Sequence, residues 1–240
     1  MIQLSKRLKM VANMVTPGNR VADIGCDHGH TSIYLAENNI SKEILAMDVG
    51  EGPLGHAREN IALYGYEKEI KTRLSDGGKE LNPGEVDTLL ISGMGGALIV
   101  KILKESEGVV HEISELILQP QSEIGMVRRY LHKIGFYILK EDMLTEEGKR
   151  YTAIHGKKGK ERYDNPLFYE YGKILLEEKN QSLYEYLNYG IQKNQIIIKE
   201  LKEQTYDRNK QRKSELETEV MWMKEAMEFY NREDVSNGED

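Results

Sequence analysis

VADIGCDHGH, residues 21–30, is the stretch that decides the fold. Its apolar start at 21–24 predicts a buried strand, and Gly25 and Gly29 predict a turn. Helix-compatible sequence follows from residue 31 to residue 38. A strand, a glycine turn and a helix in this order are typical of a Rossmann-like sheet, which holds a nucleotide-like ligand at the carboxyl end of its first strand. The glycines allow close backbone approach, and the helix start offers free N–H groups.

The acids of this stretch narrow the choice of ligand. Asp23 ends the strand, and Asp27 stands where a dinucleotide-binding loop usually has its middle glycine. A carboxylate beside a pyrophosphate would meet like charge in a partly desolvated site. S-adenosylmethionine carries no phosphate, and acids would attract its ammonium and sulfonium. The loop therefore favours a methyl donor over NAD or ATP. The alternative is an ordinary strand-to-helix turn with an aspartate cap.

Later strand ends carry similar groups. Asp48 ends a predicted strand at 44–48, about 20 residues after the glycine turn, which is the spacing at which an acid reaches a ribose hydroxyl pair. Asp76 follows a predicted strand at 70–74, where it can accept a hydrogen bond from the adenine amine. The glycine-rich segment 92–96, after a strand at 86–91, indicates close approach of the substrate or of the donor's methionine part. The alternatives are a solvated acid, an Asp-Gly turn and a flexible loop.

These positions supply the donor-binding and catalytic candidates. The donor-binding candidates lie in the loops at the strand ends: Asp23, Gly25, Cys26, Asp27, His28, Gly29, Asp48, Val49, Ser75, Asp76, Gly77, Gly93 and Gly95. The catalytic candidates are Asp27, Ser92 and Met94. We expect Asp27 either to hold the donor or to stabilise the positive charge that develops on the acceptor. We expect no metal site at His28 and His30, and a packing role rather than a nucleophilic one for Cys26.

The rest of the chain predicts the remaining architecture. A fifth strand at 116–118 and an antiparallel pair at 136–144 and 150–155 complete a seven-stranded, mostly parallel α/β sheet. GKKGKERYDNP, residues 156–166, predicts a hinge and a domain boundary, so we expect a Rossmann-like domain with the methyl-donor loop at 1–160. The apolar spacing of 161–232 predicts a helical hairpin or coiled-coil-like domain with a polar tip at 206–214, or one long helix exposed there. We expect residues 233–240 to be disordered.

The composition sets outer bounds on function. The chain has 240 residues, of which 30% are charged and 39% hydrophobic, which allows one large domain or a core domain with an appendage. Its net charge of −7 does not point to nucleic acid, which would need a local basic patch. The single cysteine excludes an internal disulfide framework. No run approaches the roughly 20 apolar residues of a membrane helix, and the start lacks a signal-peptide pattern, so we expect a cytoplasmic protein.

Four motifs together resemble a bacterial family of class I methyltransferases, the tRNA (adenine(22)-N1)-methyltransferases (TrmK). They are DIGCDHGH at 23–30, DVGEGPL at 48–54, SDGG at 75–78 and ISGMGG at 91–96. The resemblance implies S-adenosylmethionine as cofactor and methyl transfer to N1 of an adenine in the D-arm region of tRNA. The chain lacks the Asn-Pro-Pro-aromatic motif of exocyclic-amine methylation and has SGMGG instead, which fits a ring nitrogen.

A tRNA partner requires a basic surface. The candidates for tRNA binding are two glutamines that can meet a base edge and the cations around them and near the hinge: Arg7, Gln119, Gln121, Arg128, Arg150, Lys157, Lys158 and Lys160. We expect no membrane or metal partner and a monomer or weak dimer. Two alternatives remain at this stage. One is a methyltransferase acting on a small molecule or a protein, and the other is a non-enzymatic helical interaction module on a degenerate Rossmann domain.

Overall fold

The computed structural model describes residues 1–202 and 207–232. The predicted disordered tail at 233–240 and the first residue of the predicted polar tip at 206–214 lie outside these residues. The chain divides into two compact units, Met1–Asp164 and Asn165–Asp240. The boundary predicted after residue 160 falls just inside the end of the first unit.

One mixed sheet forms the centre of the first unit. Its strands are β1 Val21–Ile24, β2 Ile44–Asp48, β3 Ile70–Leu74, β4 Thr88–Met94, β5 Glu115–Pro120, β6 Phe136–Glu146 and β7 Lys149–Lys158. The strand order is β3-β2-β1-β4-β5-β7-β6, in which β1 to β5 pair in parallel and β7 pairs antiparallel with both β5 and β6. The predicted seven-stranded, mostly parallel sheet is thereby confirmed. The strand order reverses between β1 and β4, so a crevice opens at their carboxyl ends.

Helices cover the sheet of the first unit. They are α1 Lys6–Ala12, α2 His30–Glu37, α3 Glu51–Tyr64, α4 Gly96–Glu105, α5 Glu107–Glu112 and α6 Ile124–Lys133. Strands β1 and β5 are buried at every position, as central strands of a parallel sheet are. The Ser5 side chain caps α1 by accepting from the backbone N–H of Leu8 at 3.3 Å, as its position before an amphipathic run predicts.

Two predicted boundaries are wrong for reasons visible in the strand pairing. β4 continues to Met94 because Ser92 pairs with Gln119 and Met94 with Pro120 around a bulge, so the first three residues of the predicted glycine-rich segment 92–96 are strand. β7 continues to Lys158 through its pairs with β5 and β6, so the predicted hinge begins inside the sheet. Helix α5 was not predicted, since it has only six residues.

A buried carboxylate lies at the amino end of β5. Glu115 is fully buried, and its Oε2 accepts hydrogen bonds from the hydroxyl of Thr88 at 2.7 Å and the backbone N–H of Thr16 at 3.1 Å. His155 and Lys157 on β7 each place a side-chain nitrogen 2.8 Å from Glu115 Oε1. Burial alone would raise the pKa of Glu115, but the hydrogen bonds from His155 and Lys157 hold it well below the usual range. We call these five residues the Glu115 cluster.

The second unit is helical. After a π-helical turn at Phe168–Gly172 come α7 Lys173–Glu177, α8 Gln181–Lys202 and α9 Asp207–Asn231. Helices α8 and α9 run antiparallel: the Asn194 amide donates to Glu219 at 2.9 Å, and Ile198 packs with Leu216 and Val220 further along. Each buried aliphatic side chain contributes about 1.5–3 kcal/mol. The pairing is that of the predicted helical hairpin.

Candidate active site

A cleft of about 620 Å³ lies at the carboxyl ends of β1 to β4, within the usual range of a small-molecule site. It contains most of the sequence-predicted donor and catalytic residues. Those that line it are Asp23, Gly25, Cys26, Asp27, His28, Asp48, Val49, Ser75, Asp76, Gly77, Ser92, Gly93 and Met94. The structure therefore brings together loops that are separated by up to seventy residues in the chain (21–94). Gly29 and Gly95 are not among the residues that line it.

The loop after β1 folds over the end of β2. The backbone N–H groups of Gly25 and Cys26 donate to the carbonyl of Met47 at 2.8 and 2.9 Å. Gly25 has φ +75°, a backbone conformation that side-chain-bearing residues rarely adopt, so the position favours glycine. Cys26 is buried, and burial raises the pKa of its thiol, which leaves it protonated and unreactive at neutral pH.

Asp23 is the buried carboxylate of the cleft. Its side chain is 3% exposed, and its Oδ2 accepts a hydrogen bond from the Ser32 hydroxyl at 2.7 Å. Burial raises the pKa of Asp23 to about 6, although the Ser32 hydrogen bond acts in the opposite direction. Such a carboxylate is ionised at neutral pH at a cost in folding free energy, which a cationic ligand group would offset.

Asp48 links two loops at the floor of the cleft. Its Oδ2 accepts from the backbone N–H of Asp27 at 3.3 Å, and its Oδ1 accepts from that of Gly50 at 3.0 Å. The Asp27 backbone has φ +50°, whereas its carboxylate is 72% exposed and lies 3.6 Å from Nε2 of His28. The Asp27 backbone is therefore fixed by Asp48 while its carboxylate faces the open cleft.

The loop after β3 forms the third side. The Ser75 N–H donates to the carbonyl of Asp48 at 2.9 Å, and its hydroxyl donates to the carbonyl of Gly77 at 2.8 Å. Asp76 forms an ion pair with Lys79, which lowers the pKa of the Asp76 carboxyl. Lys79 also pairs with Glu105 at 3.0 Å, so Asp76 and Glu105 share one cation. The Asp76 side chain remains exposed.

A cluster of polar side chains lies near the carboxyl end of β4, on the side that faces β5. Nη1 of Arg7 donates to Ser92 Oγ at 3.1 Å and to Gln119 Oε1 at 2.9 Å. The same Gln119 oxygen accepts from the Gly93 N–H at 3.1 Å. The Arg7 guanidinium lies 5.4 Å from the ring centroid of Tyr151. We call Arg7, Ser92, Gly93, Gln119 and Tyr151 the Gln119 cluster.

Two predicted tRNA contacts are wrong because the side chains are buried. Arg128 is 1% exposed, and its Nε lies 2.7 Å from Glu141, which is also buried. Gln119 is 0% exposed, and all its hydrogen-bonding partners belong to the protein. A cation at an amphipathic helix position is usually solvated, so the buried Glu141 partner on β6 could not be inferred from the sequence.

Two lysines of the predicted basic hinge make contacts within the protein. Lys157 belongs to the Glu115 cluster, and Lys158 donates to the carbonyl of Val110 at 2.9 Å and lies over the Phe136 ring. Of the remaining candidates, Arg150 and Lys160 are exposed, and Gln121 lines the cleft.

The sequence interpretation missed part of the cleft wall. Leu98 and Ile102 on α4, together with Leu8 on α1, line the cleft beside the acids. Position alone could have suggested Leu98 and Ile102, since α4 begins directly after the glycine-rich segment.

Across residues 1–202 and 207–232, no group of three or more His, Cys, Asp or Glu side chains is arranged to hold a metal ion. No helix in those ranges combines the length and the apolar character needed to cross a membrane.

The sheet order and the acid-lined cleft at its switch point define a Rossmann-like methyltransferase. Residues 4–154 match a family model described as a methyltransferase domain. The chain is 30% identical to the tRNA (adenine(22)-N(1))-methyltransferase of Bacillus subtilis over 237 residues, which is 95% of this chain and 98% of that protein. The chain belongs to this tRNA (adenine(22)-N(1))-methyltransferase family.

Solved structures agree over almost the whole chain. A putative tRNA (m1A22) methyltransferase of Streptococcus pneumoniae superimposes with a TM-score of 0.86 at 29% identity, covering 94% of this chain and 100% of that one. The structure of the same Streptococcus pneumoniae protein in complex with S-adenosyl-L-methionine gives 0.80 at 30% identity, with the same coverage of both chains. The likeness thus includes the helical second unit as well as the sheet.

Proposed function

We propose that this protein transfers a methyl group from S-adenosylmethionine to N1 of adenine 22 in tRNA. The observation that carries this proposal is the 30% identity to the Bacillus subtilis enzyme over 95% of the chain, both units included. A likeness of the methyltransferase domain alone would leave the acceptor open, because this fold serves many substrates.

The residues of the cleft fit such a donor. Carboxylates stand at the ends of β1, β2 and β3, at Asp23, Asp48 and Asp76, where a phosphate-bearing cofactor would meet like charge. When bound, S-adenosylmethionine supplies an electrophilic methyl group on a sulfonium. Asp23 offers negative charge to the donor's cationic groups, Asp48 offers acceptors to the ribose hydroxyls, and Asp76 offers one to the adenine amine.

The acceptor nitrogen needs little activation from the protein. Adenine N1 has an in-plane lone pair and attacks without a general base, so the chain mainly has to align the acceptor with the donor. Positive charge develops on the base as the new bond forms, and the open carboxylate of Asp27 can stabilise it. Ser92 and Met94 border the acceptor side, where the Ser92 hydroxyl accepts from Arg7.

The finer parts of the proposal follow from the substrate. We place Gln121, Arg150, Lys158 and Lys160 at the tRNA surface, because these predicted candidates are exposed. The protein acts in the cytoplasm, where tRNA is modified, as a monomer or weak dimer. No metal takes part, since the attack needs no Lewis acid. The helical unit after residue 164 serves as a separate domain.

The test is a nucleoside-resolved methylation assay. Purified protein, S-adenosylmethionine and an unmodified tRNA transcript with adenine at position 22 are expected to yield 1-methyladenosine at that position, mapped by mass spectrometry. A transcript with guanine at position 22 serves as control. Methylation of both transcripts at another site, or of neither, would contradict the proposal.

Asp27 can be tested by a substitution that respects its backbone. Asparagine tolerates φ +50°, whereas alanine there would be strained by about 1–2 kcal/mol. Because the Asp27 side chain is exposed and its backbone N–H binds Asp48, Asp27→Asn is expected to leave donor affinity nearly unchanged. Loss of charge stabilisation is expected to lower the single-turnover methylation rate by about 10- to 100-fold. A variant that loses donor affinity but keeps its rate would show that Asp27 only holds the donor.

A further inference from the structure

The buried side chain of Gln119 accepts hydrogen bonds from three donors, on the side of the cleft where we place the methyl acceptor. Gln119 Oε1 accepts from Arg7 Nη1 at 2.9 Å, the Gly93 N–H at 3.1 Å and Ser92 Oγ at 3.3 Å. The Arg7 guanidinium and the Gly93 backbone N–H can only donate, so the glutamine oxygen, not its NH2 group, has to face them. Its Nε2 donates to the carbonyl of Pro120 at 3.2 Å. Gln119 is fully buried and its oxygen is occupied by protein donors, so its effect on a ligand has to pass through them.

Arg7 is the partner that reaches a ligand. Its guanidinium is half-buried and lines the cleft, with the Tyr151 ring beside it. The backbone N–H of Arg7 donates to Glu146 Oε2 at 3.2 Å, and the backbone N–H of Lys6 donates to Glu146 Oε1 at 2.7 Å. These two bonds fix the first turn of α1 against β6. Within the described ranges, only Nη1 of the Arg7 guanidinium has a hydrogen-bond partner. The remaining N–H groups are available to an acceptor in the cleft.

Electrostatics selects the kind of acceptor. The guanidinium stays charged at all relevant pH values and presents a planar fork that matches phosphate oxygens. The adenine becomes more positive as N1 is methylated, so a cation against the base edge would oppose the reaction. A phosphodiester beside the base has the opposite sign and carries hydrogen-bond acceptors.

We propose that Gln119 is a positioning residue, which aims the Arg7 guanidinium at a phosphodiester flanking the target nucleotide. This inference rests on the proposed function, because it needs an RNA acceptor. Gln119 holds one edge of the guanidinium in the protein, which leaves the other edge for the phosphate. The same glutamine ties Arg7 to the bulged end of β4, so the nucleotide's phosphate and the methyl-transfer position are set by one buried group.

A double-mutant cycle tests the coupling. The variants are Arg7→Ala, Gln119→Leu and the two combined, each assayed for KM for tRNA, single-turnover rate and donor dissociation constant. Hydrogen bonds to charged groups are worth about 10- to 100-fold, so either single variant is expected to raise KM for tRNA by that factor. The combined variant is expected to be no worse than Arg7→Ala alone. Donor affinity is expected to stay unchanged in all three.

Further variants separate positioning from simple loss of charge or of folding. Arg7→Lys keeps the charge but lacks the planar guanidinium, which can pair one edge with Gln119 and present the other to a phosphate, so it is expected to resemble Arg7→Ala in KM for tRNA. Lys68→Ala removes one positive charge from an exposed position before β3, at the opposite end of the sheet, and is expected to have little effect. Arg7→Ala is also expected to reduce the slope of log affinity against log salt by about 1, whereas Gln119→Leu, which keeps the cation, reduces it less.

Each contrary result has a distinct meaning. Additive effects in the cycle, or a fully active Arg7→Lys variant, would overturn the positioning role of Gln119. A raised donor dissociation constant in Arg7→Ala would overturn the phosphodiester assignment, since it places the guanidinium on the donor's carboxylate. If Gln119→Leu does not fold, the Arg7→Lys result and the salt slopes decide. An inactive wild-type protein would instead count against the proposed function itself.

Discussion

Replacing Asp23 with asparagine is expected to raise the free energy of unfolding at pH 7.5 by up to about 3 kcal/mol. Burial raises the pKa of this carboxyl from 3.8 to about 6, and each unit is worth about 1.4 kcal/mol. Above pH 6 the folded protein must carry an ionised, buried carboxylate, whereas the variant carries a neutral amide that can still accept from Ser32.

The pH dependence gives this prediction its sign. Below pH 3.8 the carboxyl is protonated in both the folded and the unfolded protein, so its burial carries no ionisation cost. The cost grows as pH rises from about 4 to 6 and is complete above that range. Urea unfolding is therefore expected to show a stability gain for Asp23→Asn at pH 7.5 that shrinks towards zero at pH 4. A gain independent of pH would contradict the raised pKa.

The same substitution is expected to impair function. The neutral amide loses its attraction for a cationic donor group, so calorimetric titration is expected to show weaker binding of S-adenosylmethionine. Asp27→Asn makes the same charge change at an exposed side chain and is the matched control, for which no comparable gain in stability is expected. Asp23 would then be a residue whose ionisation costs stability and favours ligand binding.

Replacing Asp48 with alanine is expected to weaken donor binding by at least about 100-fold. Two hydrogen bonds from ribose hydroxyls to a carboxylate account for about 3 kcal/mol or more, and tenfold in affinity corresponds to 1.4 kcal/mol. The carboxylate also accepts the N–H groups of Asp27 and Gly50, so its loss releases both loops. Isothermal titration with S-adenosylmethionine measures the effect.

Two further variants define the Asp48 result. Asp48→Asn keeps one oxygen acceptor and is expected to bind the donor with intermediate affinity. Glu51→Gln removes an acid at the exposed start of α3, where Glu51 pairs with Arg58, and is expected to leave donor affinity unchanged. Wild-type affinity in Asp48→Ala would show that the ribose is held elsewhere.

Much of the sheet could be predicted because local sequence determines it. Strands β1, β2 and β3 are short apolar or alternating runs with an acid within two residues of their carboxyl ends, and their predicted bounds agree with the structure. Their carboxyl ends meet at one edge of a parallel sheet, so three acids far apart in the chain could be placed in one cleft before the structure was known.

The remaining errors concern residues whose partners are distant in sequence. The burial of Arg128 depends on Glu141, and the burial of Gln119 depends on Arg7 across 112 positions. The end of β7 is strand because it pairs with β5 and β6 on either side, although its lysine-rich composition does not favour a strand. Such positions are determined by tertiary pairing, which periodicity and propensity do not contain.

The Glu115 cluster determines how late in synthesis the first unit can finish folding. It joins Thr16, near the start of the first unit, to His155 and Lys157, near its end. A nascent chain that stops short of β7 would leave the Glu115 carboxylate without two of its cationic or hydrogen-bonding partners and the edge of β5 unpaired. Domains generally fold as units during synthesis. The methyltransferase unit therefore completes its sheet only after almost all of residues 1–164 have left the ribosome.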